Sequence, residues 1–426
     1  MKDKKILITQ PMIHGINGST TVTMELAEYL QSEGVAVVVY THHYDEPARK
    51  FFEQKNINVV CSQDEPQYRL SDFDYIWVHS QVVPVSIIKA LGSKLPKRMP
   101  KFIFNHMSPL DSVPDERPFI YELEERLSSK TLFVSAATRD IQANYFIVKP
   151  VFDLFRNPSP VAFSKLKYSP AKSLKKVLIV SNHPPQEILE AKTILEGDGV
   201  EVVSFGETSD EYSLITPGLL KKFDAVITIG KTVQYCLVAG VPVYIYDHFG
   251  GKGYLNEASY EGAADRNFSG RDGGRLTAEF IAADIVDRYR DAVHYQTKNR
   301  QSFITELSID NVLPRLLESV QPRSIDQFDL PYMNAVVSAQ IFAKNRFESG
   351  ARDWNNAKLS GHLYREVDRL STTIADMRAT IDELHRNLES EQRQRNVILQ
   401  SKSYKVGFTL LKPLRVAKLL ARRFQG

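Results

Sequence analysis

The sequence predicts an α/β protein with two domains, each built on a parallel sheet, that face each other across a cleft and precede a C-terminal coiled coil and a basic amphipathic helix. Three patterns predict this fold class. Short apolar runs alternate with amphipathic segments, the alternation restarts after a proline-rich stretch, and a heptad pattern precedes a basic tail. The chain has 426 residues, enough for two or three domains that each bury a core.

The first alternation starts at the N-terminus. The apolar run at 5–9 is typical of a buried strand, a turn rich in Gly and Ser spans 14–19, and an amphipathic helix ends before Gly34. The next apolar run, 35–41, completes a strand–helix–strand unit. Such units place their strands in parallel, so the pattern predicts a parallel, Rossmann-like sheet.

A second alternation restarts at 175–182 and reaches a strand at 241–247. Between the two halves lies a stretch with prolines at 150, 158, 160 and 170, which is typical of a linker. We therefore predict a first domain over 1–155, a second domain over 165–320, a helical connection over 321–355, a coiled coil over 360–400 and an amphipathic tail over 401–426.

Composition narrows the class of protein. The chain is 43% hydrophobic and 25% charged, as in ordinary globular proteins, and its net charge of +3 is too small to indicate nucleic-acid binding. The two cysteines, Cys61 and Cys236, are far apart and form no metal or disulfide pattern, which fits a reduced cytoplasmic setting. No run approaches the roughly 20 apolar residues of a membrane span, and the N-terminal run is too short for a signal peptide.

A heptad pattern covers the segment 360–400. Apolar residues follow one another at alternating spacings of four and three, namely Leu363, Val367, Leu370, Ile374, Met377, Ile381, Leu384 and Leu388. This spacing predicts a coiled coil and favours a homodimer. A helical hairpin packed on its own domain is the alternative.

The tail over 401–426 contains seven Lys or Arg residues and no Asp or Glu, with apolar residues between the charges. A basic amphipathic helix of this kind suits an anionic membrane surface. We therefore expect peripheral attachment to the inner face of the cell membrane, and no nucleic-acid partner. A helix that stays in solution or binds nucleic acid is the alternative.

The segment 224–255 predicts an anion site. One strand ends at Gly230 and a helix starts at Lys231–Thr232, so free N–H groups and the positive end of the helix dipole are available to an anion. The next strand ends at Asp247, before a glycine-rich stretch that includes Lys252. Two such strand ends side by side make a site of pyrophosphate size. The alternative is a tight turn with a capped helix.

The same segment resembles the donor-binding region of GT-B glycosyltransferases of the family 4 type, in its run A-x-G-x-P-V followed by an aspartate and glycines. Shorter stretches are similar to the family in the same order: the turn at 14–20, DYIWVHS, FNHMS, FVSAATRD, RNPSPVAF, SNHPP and SFGE. The resemblance covers about 1–320. Tyr235 departs from it, because many members have a ribose-binding glutamate at that position.

The resemblance implies transfer of a sugar from a nucleotide donor, held by the second domain, to an acceptor held by the first. It also implies that no metal or other cofactor is required, and no DxD-like acidic pair is present. The predicted donor-binding residues are Asn182, Gly206, Glu207, Gly230, Lys231, Thr232, Gln234, Asp247, His248, Phe249, Gly250, Gly251, Lys252 and Gly253. Gly15, Gly18, Ser19 and His79 are predicted on the acceptor side. If transfer inverts the anomeric centre, His106 or His14 is the candidate base.

These features together predict a hexosyltransferase that uses a nucleotide sugar and a lipid-linked glycan acceptor in cell-surface polysaccharide biosynthesis. A nucleotide-sugar epimerase on the same fold is one alternative. A non-catalytic GT-B-like membrane scaffold is another, and Tyr235 is its best support. A nicotinamide-dependent dehydrogenase is disfavoured, because the turn at 14–19 lacks the G-x-G-x-x-G spacing.

Overall fold

The computed structural model describes residues 2–112, 116–149, 151–207, 212–271 and 273–423. Pro150 of the predicted linker and Phe424 of the predicted tail lie outside the described residues. The chain divides into two compact units, Met1–Ala351 and Arg352–Gly426.

The first unit contains two sheets. The first has seven parallel strands in the order β3-β2-β1-β4-β5-β6-β7. Their bounds are β1 Lys5–Ile13, β2 Ala36–Tyr44, β3 Asn58–Cys61, β4 Tyr75–His79, β5 Lys101–His106, β6 Ser128–Phe133 and β7 Phe152–Leu154. The strand order reverses between β1 and β4, so a crevice opens at their carboxyl ends.

The second sheet has the order β12-β11-β10-β8-β9, in which only β12 is antiparallel. Its bounds are β8 Lys176–Val180, β9 Glu201–Phe205, β10 Ala225–Thr228, β11 Val243–Asp247 and β12 Gly250–Tyr254. Here the order reverses between β8 and β10. Two Rossmann-like sheets therefore stand in one unit, which confirms the predicted GT-B fold class.

Helices link the strands and follow them along the chain. They are α1 Gly18–Ser32, α2 Ala48–Gln54, α3 Val85–Leu91, α4 Tyr121–Leu127, α5 Ala136–Gln142, α6 Val161–Ser164, α7 Gln186–Gly197, α8 Pro217–Leu220, α9 Lys231–Ala239, α10 Tyr260–Ala264, α11 Ala278–Asp287, α12 Tyr289–Leu307, α13 Ile309–Ser319, α14 Leu330–Gln400 and α15 Lys402–Arg423. Helix α9 ends at Gly240, whose φ of 83° is the left-handed conformation that glycine adopts without strain.

Helix α13 returns to the first domain. Its apolar residues Ile309, Leu313 and Leu317 are buried in the core that contains β1, β2 and α1. Its first residues are held to the linker, since the Ile309 N–H donates to the Ser159 carbonyl at 2.9 Å. Residues 309–320, which the sequence predicts as the end of the second domain, therefore pack against the first.

Helix α14 is continuous where the sequence predicts two separate helical segments. Its first turns pack on the first sheet, where Met333, Val336 and Phe347 are buried. The remainder of the helix belongs to the second unit. Among the described helices, none is both long and apolar enough to cross a membrane.

The glycine-rich stretch after β11, which the sequence predicts as part of the anion site, forms a strand and not a loop. It pairs with β11 as the antiparallel strand β12. A Cβ at Gly251 would lie 1.9 Å from the Ile245 carbonyl oxygen, and a Cβ at Gly250 would lie 2.6 Å from the Gly274 carbonyl oxygen. The approach of backbone to backbone therefore accounts for these glycines without a ligand.

We expect Gly251→Ala to destabilise the protein by more than about 2 kcal/mol, because the methyl group would overlap the backbone of β11. Gly197→Ala is the matched control, since a Cβ there meets nothing within 4 Å and α7 gains a better helix former. Urea unfolding of the two variants measures the difference. Equal stability of both would contradict this account of β12.

Candidate functional site

A cleft of about 1020 Å³ lies between the two sheets. It is lined by residues that follow β1, β8 and β10, including Ile16, Asn182 and Gly230. These are the strands at which both sheets reverse their order, so the cleft stands where open α/β sheets bind ligands. Of the predicted site residues, those that line it are His14, Gly18, Ser19, Asn182, Gly206, Gly230, Lys231, Thr232, Asp247 and His248.

One helix N-terminus from each domain lines this cleft. Helix α1 is capped by Asn17, whose side chain accepts the Thr20 N–H at 3.0 Å. Helix α9 starts after Gly230, whose φ is 63° and where a Cβ would meet nothing within 4 Å. The first turns of helices offer N–H groups without intrahelical partners, so both ends favour an anion in the cleft.

Asp247 lies at the end of β11 and is 4% exposed. Its Oδ1 accepts hydrogen bonds from the Ser181 hydroxyl at 2.9 Å and from the His248 N–H at 2.8 Å. Burial raises the pKa of Asp247, and the hydrogen bonds from His248 and Ser181 oppose that rise. The carboxylate is thus fixed in the cleft wall, where it can accept hydrogen bonds from ligand hydroxyls.

The turn after β1 is hydrogen-bonded to the second domain. The Tyr212 hydroxyl accepts the Ile16 N–H at 2.7 Å, and the Asn182 amide donates to the Ile16 carbonyl at 3.3 Å. Gly15 lies next to the same tyrosine, and a Cβ there would lie 3.6 Å from its hydroxyl, an ordinary contact distance. Gly206 is required, since a Cβ would lie 1.8 Å from the Ser181 carbonyl oxygen.

The structure gives Lys231 different partners from those predicted. Its Nζ lies 2.8 Å from Glu25 Oε2 in α1 and donates to the Asn157 and Pro158 carbonyls at 2.9 and 2.5 Å. The Tyr235 hydroxyl donates to the same glutamate. Glu25, Lys231 and Tyr235, the interdomain cluster, are 8%, 9% and 3% exposed. The ammonium therefore joins the two domains and the linker, and does not reach towards a phosphate.

The charges of the interdomain cluster follow from its hydrogen bonds. Burial raises the pKa of Glu25 and lowers that of Lys231, so desolvation favours the neutral forms. Lys231 nevertheless faces three acceptors, which match the three protons of an ammonium. We therefore treat the pair as ionised. Its lysine also lies 4.9 Å from the centre of the Tyr235 ring, which adds a cation–π contact.

His106 and His79 do not line the cleft. His106 Nε2 lies 3.1 Å from both carboxylate oxygens of Glu124, which is 0% exposed and also accepts from Gln81 and Thr131. Burial lowers the pKa of His79 to about 3, so this histidine is neutral at physiological pH. Glu124 thus holds His106 outside the cleft lining, and the role of His106 as catalytic base stays a prediction. His14 is the predicted candidate that lines the cleft.

The other predicted donor residues lie beside the cleft wall. Gln234 is buried and donates to Asn267 at 3.2 Å, and the Glu207 N–H donates to Asn182 at 3.3 Å. Phe249 is 38% exposed, with the Arg271 guanidinium 3.6 Å from its ring centre. The residues that do not line the cleft are Gly15, His79, His106, Glu207, Gln234, Phe249, Gly250, Gly251, Lys252 and Gly253.

Sequence reasoning missed Glu25, Ser181 and Tyr212. Glu25 carries a detectable signal, because it follows Val22 by three residues on the face of α1 that the apolar pattern buries. A charged residue at such a position needs a buried partner. Tyr212 carries no such signal, since its segment shows neither helical nor strand periodicity.

No family model and no curated protein matches this chain. Similar solved structures include Anabaena HepE in complex with UDP-glucose, at 14% identity over 74% of this chain and 99% of that chain, with a TM-score of 0.49. A glycosyltransferase from Rickettsia africae has 14% identity over 75% and 98% of the two chains, with a TM-score of 0.49. A Listeria monocytogenes protein, provisionally named a UDP-N-acetylglucosamine 2-epimerase, has 12% identity over 78% and 100%, with a TM-score of 0.45. At these TM-scores we draw no conclusion about activity from the likenesses.

We expect Lys231→Met to lower the free energy of unfolding by about 3–5 kcal/mol, because it leaves the Glu25 carboxylate buried without a counter-charge. In the double variant with Glu25→Gln the loss is smaller than the sum of the two single losses, since both charges are gone. Urea unfolding of the three variants measures this coupling.

The exposed pair Lys298–Glu257 is the matched control. Its N–O distance is also 2.8 Å, but its side chains are 61% and 66% exposed. Lys298→Met should therefore change stability by less than about 1 kcal/mol. If Lys231→Met cost no more than this control, the interdomain cluster would not hold the domains together.

Proposed function

We propose that the protein is a glycosyltransferase that binds a nucleotide sugar in the cleft between its two sheets. The observation that carries this proposal is the pair of helix N-termini, α1 and α9, that face one cavity of about 1020 Å³ at the switch points of both sheets. That volume is at the upper end of ordinary ligand pockets and suits a nucleotide sugar. The anionic diphosphate fits an environment of peptide N–H groups.

The chemistry is displacement at the anomeric carbon of the sugar, with a nucleoside diphosphate leaving. Negative charge grows on the leaving phosphate, and fixed N–H dipoles at the start of α9 stabilise it without rearrangement. Because Lys231 is committed to Glu25, we assign this stabilisation to peptide groups and not to a lysine. Asp247 holds a hydroxyl of the donor, and no metal is needed in this scheme.

The first domain holds the acceptor beside the α1 N-terminus. If transfer inverts the anomeric centre, His14 is the base, since it is the predicted candidate that lines the cleft. A retaining transfer requires no such base. The proposed acceptor is a lipid-linked glycan of the cell surface, and the proposed place is the inner face of the cell membrane. Both rest on the basic tail at 401–426.

One observation favours a second candidate, a non-catalytic scaffold that has kept the fold. Lys231, at the N-terminus of α9, is ion-paired with Glu25. Tyr235 donates a hydrogen bond to the same glutamate. In such a protein the interdomain cluster would hold the domains closed without a ligand. Binding and turnover distinguish this candidate from the enzyme.

We expect one nucleotide sugar, from a panel of nucleoside diphosphates and nucleotide sugars, to bind the full chain selectively and without added metal. Asp247→Asn should weaken that binding about tenfold or more, because a charged acceptor in a buried wall is lost. Calorimetry measures both affinities. Lys252→Ala is the control and should bind within about twofold of the parent, since Lys252 is exposed on β12 and does not line the cleft.

The fate of the bound sugar separates the candidates. Release of nucleoside diphosphate in the presence of a membrane-lipid extract supports transfer. A change of sugar configuration without acceptor, followed by NMR, would establish the epimerase. A folded chain that binds none of the panel, with or without magnesium, supports the scaffold and contradicts the enzyme.

We expect the full chain to sediment with phosphatidylglycerol vesicles and not with phosphatidylcholine vesicles, because the tail offers cations and apolar residues together. The attraction should weaken as salt rises from 0.1 to about 0.5 M. A chain ending at residue 400 should stay in solution. Undiminished sedimentation of that shortened chain would contradict membrane attachment by the tail.

A further inference from the structure

The second unit carries an apolar stripe along one helix. Six large apolar side chains of α14 are between 47% and 62% exposed: Leu370, Ile374, Met377, Ile381, Leu384 and Leu388. Their alternating spacing of four and three keeps them on one face of the helix. Isolated apolar residues on a surface are ordinary, but a continuous stripe marks an interaction surface.

The residue types along the stripe indicate what covers it. In heptad lettering, the a positions are Val367, Ile374, Ile381 and Leu388, and the d positions are Leu363, Leu370, Met377 and Leu384. β-Branched residues at a with leucine at d favour two parallel strands over three or four. Three of the four a positions are β-branched and three of the four d positions are leucine. The stripe therefore fits a second copy of itself.

The flanking charges permit this pairing. In a parallel pair, each g position faces the e position of the next heptad on the partner helix. These pairs are Glu366 with Ser371, Thr373 with Arg378, Thr380 with His385 and Asn387 with Gln392. None of them brings together two charges of the same sign at neutral pH, so nothing along the flanks opposes parallel association.

We propose that α14 pairs with the same helix of a second copy of this chain, as a parallel, in-register, two-stranded coiled coil centred on 363–388. In that arrangement both copies of α15 start at the same end of the coil, because α15 begins two residues after α14 ends. Two basic helices can then bind the same surface, and once the first has bound, binding of the second is intramolecular. This inference does not rest on the proposed function.

The mass in solution tests self-association. The full chain at about 10 μM should have twice the single-chain mass of 48.4 kDa by light scattering. The double variant Ile381→Lys with Leu388→Lys should have the single-chain mass, because each lysine would face its own copy in the apolar seam. The control, Ser390→Lys with Asn396→Lys, adds the same two charges at outward c and b positions and should keep the doubled mass.

The seam lies in the second unit, so near-UV circular dichroism should show the same packed first unit in both variants. A parent chain of single or triple mass would overturn the proposal. So would a seam variant that kept the doubled mass.

A single cysteine at the end of the seam tests orientation. Leu388→Cys, in a background with Cys61→Ser to remove the partly exposed native thiol, should be joined to its copy by a short bismaleimide. In an antiparallel pair centred on 363–388 the two sulfurs would lie on the order of 40 Å apart, because the helix rises 1.5 Å per residue. A dimer of doubled mass that the reagent does not join would overturn the parallel arrangement.

Discussion

A buried ion pair between Glu25 and Lys231 fixes how the two sheets face each other. Glu25 lies on the helix that follows the first strand, and Lys231 lies on the helix that follows β10. Taking two charges out of water costs more than an ordinary packed pair of apolar side chains. What the pair contributes is a defined geometry, because Lys231 can reach its three acceptors in only one arrangement of the two domains and the linker. The width of the cleft depends on that arrangement.

The same ion pair also determines which groups supply positive potential in the cleft. A lysine already neutralised by a carboxylate adds little field at a ligand, so the positive potential comes from peptide groups at the starts of α1 and α9. Peptide dipoles are rigid and carry no proton that a change of pH removes. Asp247 adds one oriented acceptor to this wall, and its partner Ser181 directly follows β8, which is separated from β11 by β10. Orientation of the ligand therefore depends on backbone positions that the two sheets hold in register.

Most of the parallel strands could be predicted from the sequence, because buried parallel strands appear as short apolar runs. The antiparallel strand β12 could not, because its glycines show no strand pattern. The site could be predicted only in part. Gly230 and Asp247 lie at strand ends, and the hydrophobic pattern of the sequence shows where those strands end. Glycines at 250, 251 and 253 are expected in a phosphate-binding loop and also in a tightly packed hairpin. Composition cannot distinguish the two structures, since each requires residues without a Cβ. The partner of Lys231 lies 206 positions away in the chain, a distance at which no local pattern is informative.

Positive charge is concentrated in the tail of the chain. The tail holds seven Lys or Arg residues without an acidic residue, while the whole chain has a net charge of +3, so the other 400 residues have a net charge of −4. An anionic surface would then attract the tail and weakly repel the remainder of the chain. Salt at 0.1 M screens such forces beyond about 10 Å, so only residues that approach the surface contribute. In the proposed membrane attachment, the tail is therefore the part of the chain that an anionic surface attracts.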